Sequence, residues 1–263
     1  MIPILIGWDR KETIAYHVLA HSIISRSSLP VSIIPLNRDN LRNQFTRPRG
    51  NLDSTEFSMS RFIVPHLMGF EGHAIFMDCD MLCLGDIADL WKQRNVAQDA
   101  SGHIAMDGFA VMVKKHDHHP EEGTKFLGAE QTRYARKNWS SLMLFDCERC
   151  RPLTRHIVNT QSHGLWFHQF DWLPDDEVGA IEGSWNHLVG YDEYDPDAKL
   201  VHFTSGGPWH GYNDSKESEA WWNEYVDMVQ GDNPWPMGAP TYGTTQTGIS
   251  RINADDGPRP AED

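Results

Sequence analysis

Basic charge is scarce in this chain: 23 lysines and arginines stand against 37 aspartates and glutamates, a net −14 over 263 residues. A general nucleic-acid binder or a protein held on anionic lipid needs a basic stripe, so both classes are excluded, and an anionic substrate must be met by a local site. Also missing is an apolar run of the roughly 20 residues needed to cross a bilayer, and Met1 to Ile6 has no basic n-region of a secretory signal. A cytoplasmic protein without a transmembrane segment is expected. Cysteine is limited to Cys79, Cys83, Cys147 and Cys150. Cys147-Glu148-Arg149-Cys150 has a zinc-ligand spacing, but no evident face unites it with the other pair, so reduced thiols are expected. There is no internal repeat. From Gly231 onward Pro, Gly, Thr and Asp dominate and large apolar residues are few, which divides the chain into a folded domain, 1–230, and a wrapped or disordered tail, 231–263.

What is present in abundance is aromatic and imidazole chemistry, with 10 Trp and 14 His, which suits loops that stack on sugar or base rings. More specific is Ile75-Phe76-Met77-Asp78-Cys79-Asp80-Met81-Leu82. The apolar run from Ala74 to Met77 reads as a buried strand, and residues i and i+2 of extended backbone share a face. Asp78 and Asp80 therefore converge while Cys79 faces away. Two carboxylates so close repel unless a cation or a shared proton lies between them. A divalent metal is the natural relief, although short Asp-x-Asp runs also arise in solvated turns.

The rest of the pattern supplies a setting. Ile2 to Ile6 reads as a strand, Glu12 to Ser25 as a helix, and Val31 to Leu36 as a second strand. This β-α-β opening predicts a parallel sheet with ligand-facing loops after its strands, Trp8 and Asp9 falling in the first. Ser58 to Leu67 reads as a helix carrying Arg61 toward the same end. Gly85 and Asp86 form a turn capping a helix that ends near Trp91. Ile104–Met106, Ala110–Val113, Leu142–Phe145 and Leu200–Phe203 are candidate strands. Leu153–Gln161 and Lys216–Gln230 are helical patterns, the second with Trp221, Trp222, Tyr225, Val226 and Val229 as its apolar face.

His202-Phe203-Thr204-Ser205-Gly206-Gly207-Pro208-Trp209 follows the last of these strands. It offers an imidazole beside glycines whose amides can approach phosphate closely. Two aspartates and a histidine leave three positions of an octahedral ion for diphosphate oxygens and water, and imidazole nitrogen tilts the choice from Mg2+ toward Mn2+.

These motifs resemble glycosyltransferase family 8 and the wider glycogenin-like group, with matching features from Ile4 to about Trp222. The resemblance implies an α/β fold, a single GT-A (Rossmann-like nucleotide-diphospho-sugar transferase) domain with a mixed, mostly parallel central sheet. Ser54 to Phe62 with Pro65 resembles the group's helix before the metal strand, with Arg61 near the donor diphosphate or sugar. Asp78, Asp80 and His202 resemble its metal ligands, for Mn2+ or Mg2+. Arg136 to Phe145 resembles the strand lining the donor sugar, Phe167 to Leu173 the segment beneath the reacting carbon, and Trp185-Asn186 the turn that follows. The resemblance implies Gln169 and Asp117 as catalytic residues. It implies donor contacts from Trp8, Asp9, Arg61, Cys79, Lys137, Asn138, Ser140, Ser141, Gly206 and Gly207, and an acceptor side at Trp209, Trp185 and Asn186. The activity implied is transfer of a hexose from a nucleotide diphosphate sugar, a UDP-sugar, to a hydroxyl acceptor with retention at the anomeric carbon.

The chain also departs from that group. Gly207 stands where the group has a phosphate-holding lysine before the Pro-Trp pair, which leaves Arg61, Lys125, Arg136 and Lys137 as the cations to take over. Trp139-Ser140-Ser141 replaces an Asn-x-Gly signature, and His168-Gln169-Phe170 replaces Asp-Gln-Asp, so the sugar, the acceptor and the oligomeric state are not legible. The principal alternative is a haloacid dehalogenase-like Mg2+-dependent phosphatase, with Asp175-Asp176 as its later acidic pair. Against it, a full β-α-β unit precedes the Asp78 strand and Met81 follows Asp80. A catalytically inactive carbohydrate-binding protein is the third reading.

Overall fold

Strand β1 (Ile2–Trp8) is made of apolar residues with no polar face, as a strand covered on both sides requires, and it is buried along most of its length. In the computed structural model, which describes residues 1–50, 53–96, 102, 108–116, 123–124, 130–131, 135–211 and 215–231, β1 pairs in parallel with β2 (Val31–Asn37) and β3 (His73–Met77). Helix α1 (Thr13–Arg26) makes the crossover between β1 and β2. Short helices α2 (Arg38–Leu41) and α3 (Val64–Leu67) and strand β4 (Met81–Cys83) follow, then α4 (Ile87–Lys92), capped by Asp86. After β5 (Val111–Val113) come a two-strand hairpin of β6 (Gly123–Thr124) and β7 (Glu130–Gln131), then β8 (Leu142–Asp146), α5 (Arg155–Thr160) and α6 (Gly164–His168). Strands β9 (Val178–Ala180), β10 (His187–Leu188) and β11 (Leu200–His202) lead to α7 (Lys216–Gln230).

The main sheet has the order β2-β1-β3-β8-β5-β9, and β8 alone runs against its neighbours, so the α/β architecture with a mixed, mostly parallel sheet is as expected. A second sheet, β10-β11-β4, sets β11 antiparallel to β4 with His202 opposite Met81. That register brings the residue after β3 and the end of β11 together. The chain divides at Val229; of the stretch Gln230–Asp263 only Gln230 and Gly231 are among the described residues, so the expected tail lies outside them, as do the candidate strand Ile104–Met106, Asp117 and Lys125.

Three expectations need correction. Ser58–Leu67 is not one helix but a 3-10 turn, Ser60–Ile63, leading into α3, where Pro65 occupies the first turn that a proline tolerates. α5 begins only at Arg155, because the Thr154 side chain accepts from Ile157 N and fixes the start. The buried face of α7 is not its most apolar one: Trp222, Val226 and Val229 are exposed, whereas Glu217, Ser218, Trp221 and Glu224 are buried. Glu224 is drawn inward by α1, where Arg26 Nη2 and His21 Nδ1 each lie 2.6 Å from its carboxylate. Trp221 joins Phe203, Val18 and Leu82 in a small core beside the main one.

Candidate metal and donor site

Asp78 and Asp80 flank the exit from β3 and face one side, while Cys79 turns the other way and donates to Glu12 Oε2 at 3.3 Å. Asp78 N donates to the Ser141 carbonyl at 2.9 Å and Phe203 N to the Asp80 carbonyl at 2.8 Å, which pins the loop between β8 and β11. His202 Nε2 lies 3.3 Å from Asp80 Oδ1. One ligand atom each from Asp78, Asp80 and His202 fall within 4.8 Å of one another, with Asp78 and His202 buried. Two carboxylates and an imidazole gathered in this way are a donor set that fits a hard or borderline divalent cation.

The surroundings are acidic. Glu12 is buried behind the pair, and its carboxyl is pushed well above its ordinary range by burial first and by the charge of Asp80 second; Asp9 and Asp78 add to the shift, and the hydrogen bond from Cys79 opposes it. The Cys79 thiol is likewise raised, by burial and then by Glu12. Asp9 is a cap: its Oδ1 accepts from Lys11 N and its Oδ2 from Glu56 N, both at 2.9 Å, so it ties the 53–57 loop to the end of β1.

That loop lays Phe57 directly on β1. A Cβ at Gly7 would sit 2.4 Å from the Phe57 ring, so only glycine permits the contact. Phe57 and Phe76 then hold the Arg61 guanidinium at 5.3 and 5.1 Å from their ring centres. Arg61 Nη1 lies 2.9 Å from Asp78 Oδ1 and donates to the Ser140 carbonyl at 2.8 Å. Arg136, another of the expected phosphate cations, is tied to the Gln169 carbonyl at 2.7 Å and to Asp175 Oδ1 at 2.5 Å. Both guanidiniums therefore have carboxylate partners already, and Lys137 is buried at 4% exposure.

Behind the metal-facing atoms runs a second layer. His202 Nδ1 is 2.8 Å from Asn186 Oδ1, and Asn186 Nδ2 donates to Ser141 Oγ at 2.9 Å and to the Asn138 carbonyl at 3.3 Å. Ser140 Oγ meets His168 Nδ1 at 2.8 Å, which places the neighbouring Gln169, the cap of α6, beside the same segment. Trp185 and Asn186, expected to face an acceptor, do not: they are 1% and 0% exposed, one in the main core and the other under His202. The Gly206 amide is turned inward, closing a turn on the Phe203 carbonyl at 2.8 Å. Gly207 lies beneath Trp209, whose ring a Cβ there would strike at 2.0 Å. Trp209 in turn packs on Trp221.

Trp8 lines an open cleft of about 480 Å³ with Tyr16, His17, Pro35, Asn37, Asp39 and Asn40, at the carboxyl ends of β1 and β2. Sequence reasoning reached Trp8 alone, because the other walls come from α1, the end of β2 and α2. Asp175 is exposed and paired with Arg136, and neither it nor Asp176 joins the Asp78 cluster, so the acidic pair that a phosphatase would use is absent from the site among the described residues. The four cysteines are buried and unbridged, and no group of potential ligands among the described residues includes one.

Topology and site together define the GT-A class of fold. Among solved structures the chain is similar to the bifunctional glycosyltransferase WbbM (TM-score 0.55, 12% identity, 89% of this chain and 50% of that one). It is also similar to the glycosyltransferase GlyE of Streptococcus pneumoniae (0.54, 13%, 87% and 61%) and to the galactosyltransferase LgtC (0.50, 11%, 86% and 96%). At such identities the likeness is one of fold, and the chain spans only about half to three fifths of the first two. No family model matches the sequence. The chain is 44% identical to Protein CDI of Arabidopsis thaliana over 231 residues, 84% of this chain and 85% of that protein, and it belongs to that protein's family.

Proposed function

We propose that the protein is a divalent-metal-dependent glycosyltransferase that moves a hexose from a UDP-sugar to a hydroxyl acceptor with retention. The observation that carries this reading is the buried cluster of Asp78, Asp80 and His202 at the end of the central strand of a GT-A fold. Mn2+, or Mg2+, would be held by these three side chains. Charge growing on the departing diphosphate would be offset by the bound cation. Arg61 acts by orienting Asp78 from behind, and the Trp8 cleft takes the nucleobase by stacking. Lys137, Asn138, Ser140 and Ser141 line the donor, and the Gly206–Gly207 turn shapes its diphosphate side.

Gln169 stands beneath the reacting carbon, its amide oxygen stabilising positive charge as the sugar leaves. Asp117, outside the described residues, hydrogen-bonds sugar hydroxyls in this reading. Four unbridged cysteines support a cytoplasmic setting, and no helix among the described residues is long and apolar enough to cross a membrane. A screen of nucleotide sugars, each with Mn2+, Mg2+ or chelator, tests the proposal by thermal shift and slow nucleotide release. Mn2+-dependent stabilisation by one UDP-sugar is expected; indifference to every nucleotide sugar, with phosphate release from simple esters, would overturn it.

A further inference from the structure

We infer that Asn186 is a positioning residue that fixes the tautomer of His202, keeping the proton on Nδ1 and the lone pair of Nε2 directed toward Asp80. The inference starts from a group with no ambiguity, the Asn138 carbonyl, which can only accept. Ser141 Oγ lies 2.6 Å from it and must donate its one proton there, so toward Asn186 that hydroxyl oxygen can only accept. The Asn186 atom 2.9 Å from Ser141 Oγ is therefore the amide nitrogen, and the same nitrogen reaches the Asn138 carbonyl at 3.3 Å. The amide oxygen is then the atom 2.8 Å from His202 Nδ1, which must carry a proton to meet it. Nε2 is the ring nitrogen left to face Asp80, 3.3 Å from its Oδ1.

Each link is sequestered from water that could substitute for it. Asn186 is 0% exposed, His202 2% and Ser141 3%. Asn186 and Asn138 both sit in the left-handed region, with φ of 62° and 64°, a conformation Asn tolerates better than other non-glycine residues. At Asn186 backbone placement and side-chain chemistry thus select the same residue. With the proton fixed on Nδ1, a neutral ring presents its Nε2 lone pair, the form that ligates a metal, and a hydrogen bond at the opposite nitrogen is the usual means of orienting such a ligand.

The proton on Nδ1 follows from the hydrogen bonds alone; only the use made of Nε2 rests on the metal-dependent reading above. The test is a long-range proton–nitrogen correlation spectrum of chelator-treated, 15N-histidine-labelled protein, at a pH well above the ordinary imidazole value of about 6.5. His202 is assigned by loss of its signals in His202→Gln. A pyrrole-type Nδ1 and pyridine-type Nε2 are expected in the wild type and in Asn186→Asp, whose carboxylate still accepts from Nδ1. Asn186→Gly, which suits the positive φ, should give a mixture of tautomers and, by Mn2+ titration followed by electron paramagnetic resonance, a 10- to 100-fold weaker ion site. A wild-type proton on Nε2, or an unchanged tautomer in Asn186→Gly, would overturn the inference. If the tautomer behaves as stated but the wild type binds no Mn2+, the inference stands and the metal reading falls.

Discussion

Arg61 and Asp78 form a buried pair, Nη1 to Oδ1 at 2.9 Å, with the guanidinium held between the Phe57 and Phe76 rings. The arginine is thereby part of the wall that holds an aspartate, and its second contact, to the Ser140 carbonyl, extends that wall to β8. Breaking a buried ion pair by removing one partner typically costs about 3–5 kcal/mol. Arg61→Met should therefore lower the unfolding free energy by that amount in chelator and by less with saturating Mn2+, as followed by chemical unfolding. Equal losses in both conditions would show that Asp78 does not meet the ion.

Gly7 and Phe57 supply a second test. Gly7→Ala drives a methyl group into the Phe57 ring and should cost about 1–3 kcal/mol, the range for overpacking. Phe57→Leu in the same chain should recover part of that loss. A double-mutant cycle with no coupling would mean that the glycine is present for another reason.

Glu12 makes stability depend on pH. Because the folded state raises its pKa above the ordinary 4.5, the folded chain holds this proton more tightly than the unfolded chain, and its contribution is complete below that value. It is lost as pH rises toward the folded value, at about 1.4 kcal/mol per pH unit. Glu12→Gln has no such proton to lose. In chelator its stability should match the wild type in acid and exceed it increasingly toward neutrality; parallel pH curves would contradict the assignment.

Much of this was legible in the sequence wherever local pattern and tertiary setting agree. The β-α-β opening, the Asp78–Asp80 strand end and the bounds of α7 follow from periodicity, and α4 follows from the Asp86 cap. β9 and β10 were not legible, since three and two residues carry no period and exist only through pairing with β5 and β11. The inward turn of Glu224 was hidden because a helix pattern does not show which partner offers Arg26 and His21.

At the site, the three metal-facing side chains could be picked out, but not what supports them. Glu12 reads as an ordinary acid in a first helical turn, and it is covered by Cys79, which arrives from the turn between β3 and β4, 67 residues away. Asn186 is placed on an acceptor side only by the resemblance of the Trp185-Asn186 turn to that of a known group, which says nothing of its burial. Its contacts with Ser141, Asn138 and His202 join three separate segments that only the folded chain brings together.

The central claim is that Asp78, Asp80 and His202 hold a divalent cation that in turn holds a nucleotide diphosphate. Calorimetric titration of UDP into the wild type and Asp80→Ala, each with Mn2+ and with chelator, tests it most directly. The account predicts binding by the wild type only with Mn2+ and loss of that binding in the folded variant; UDP binding of equal strength in chelator, or in Asp80→Ala, would contradict it.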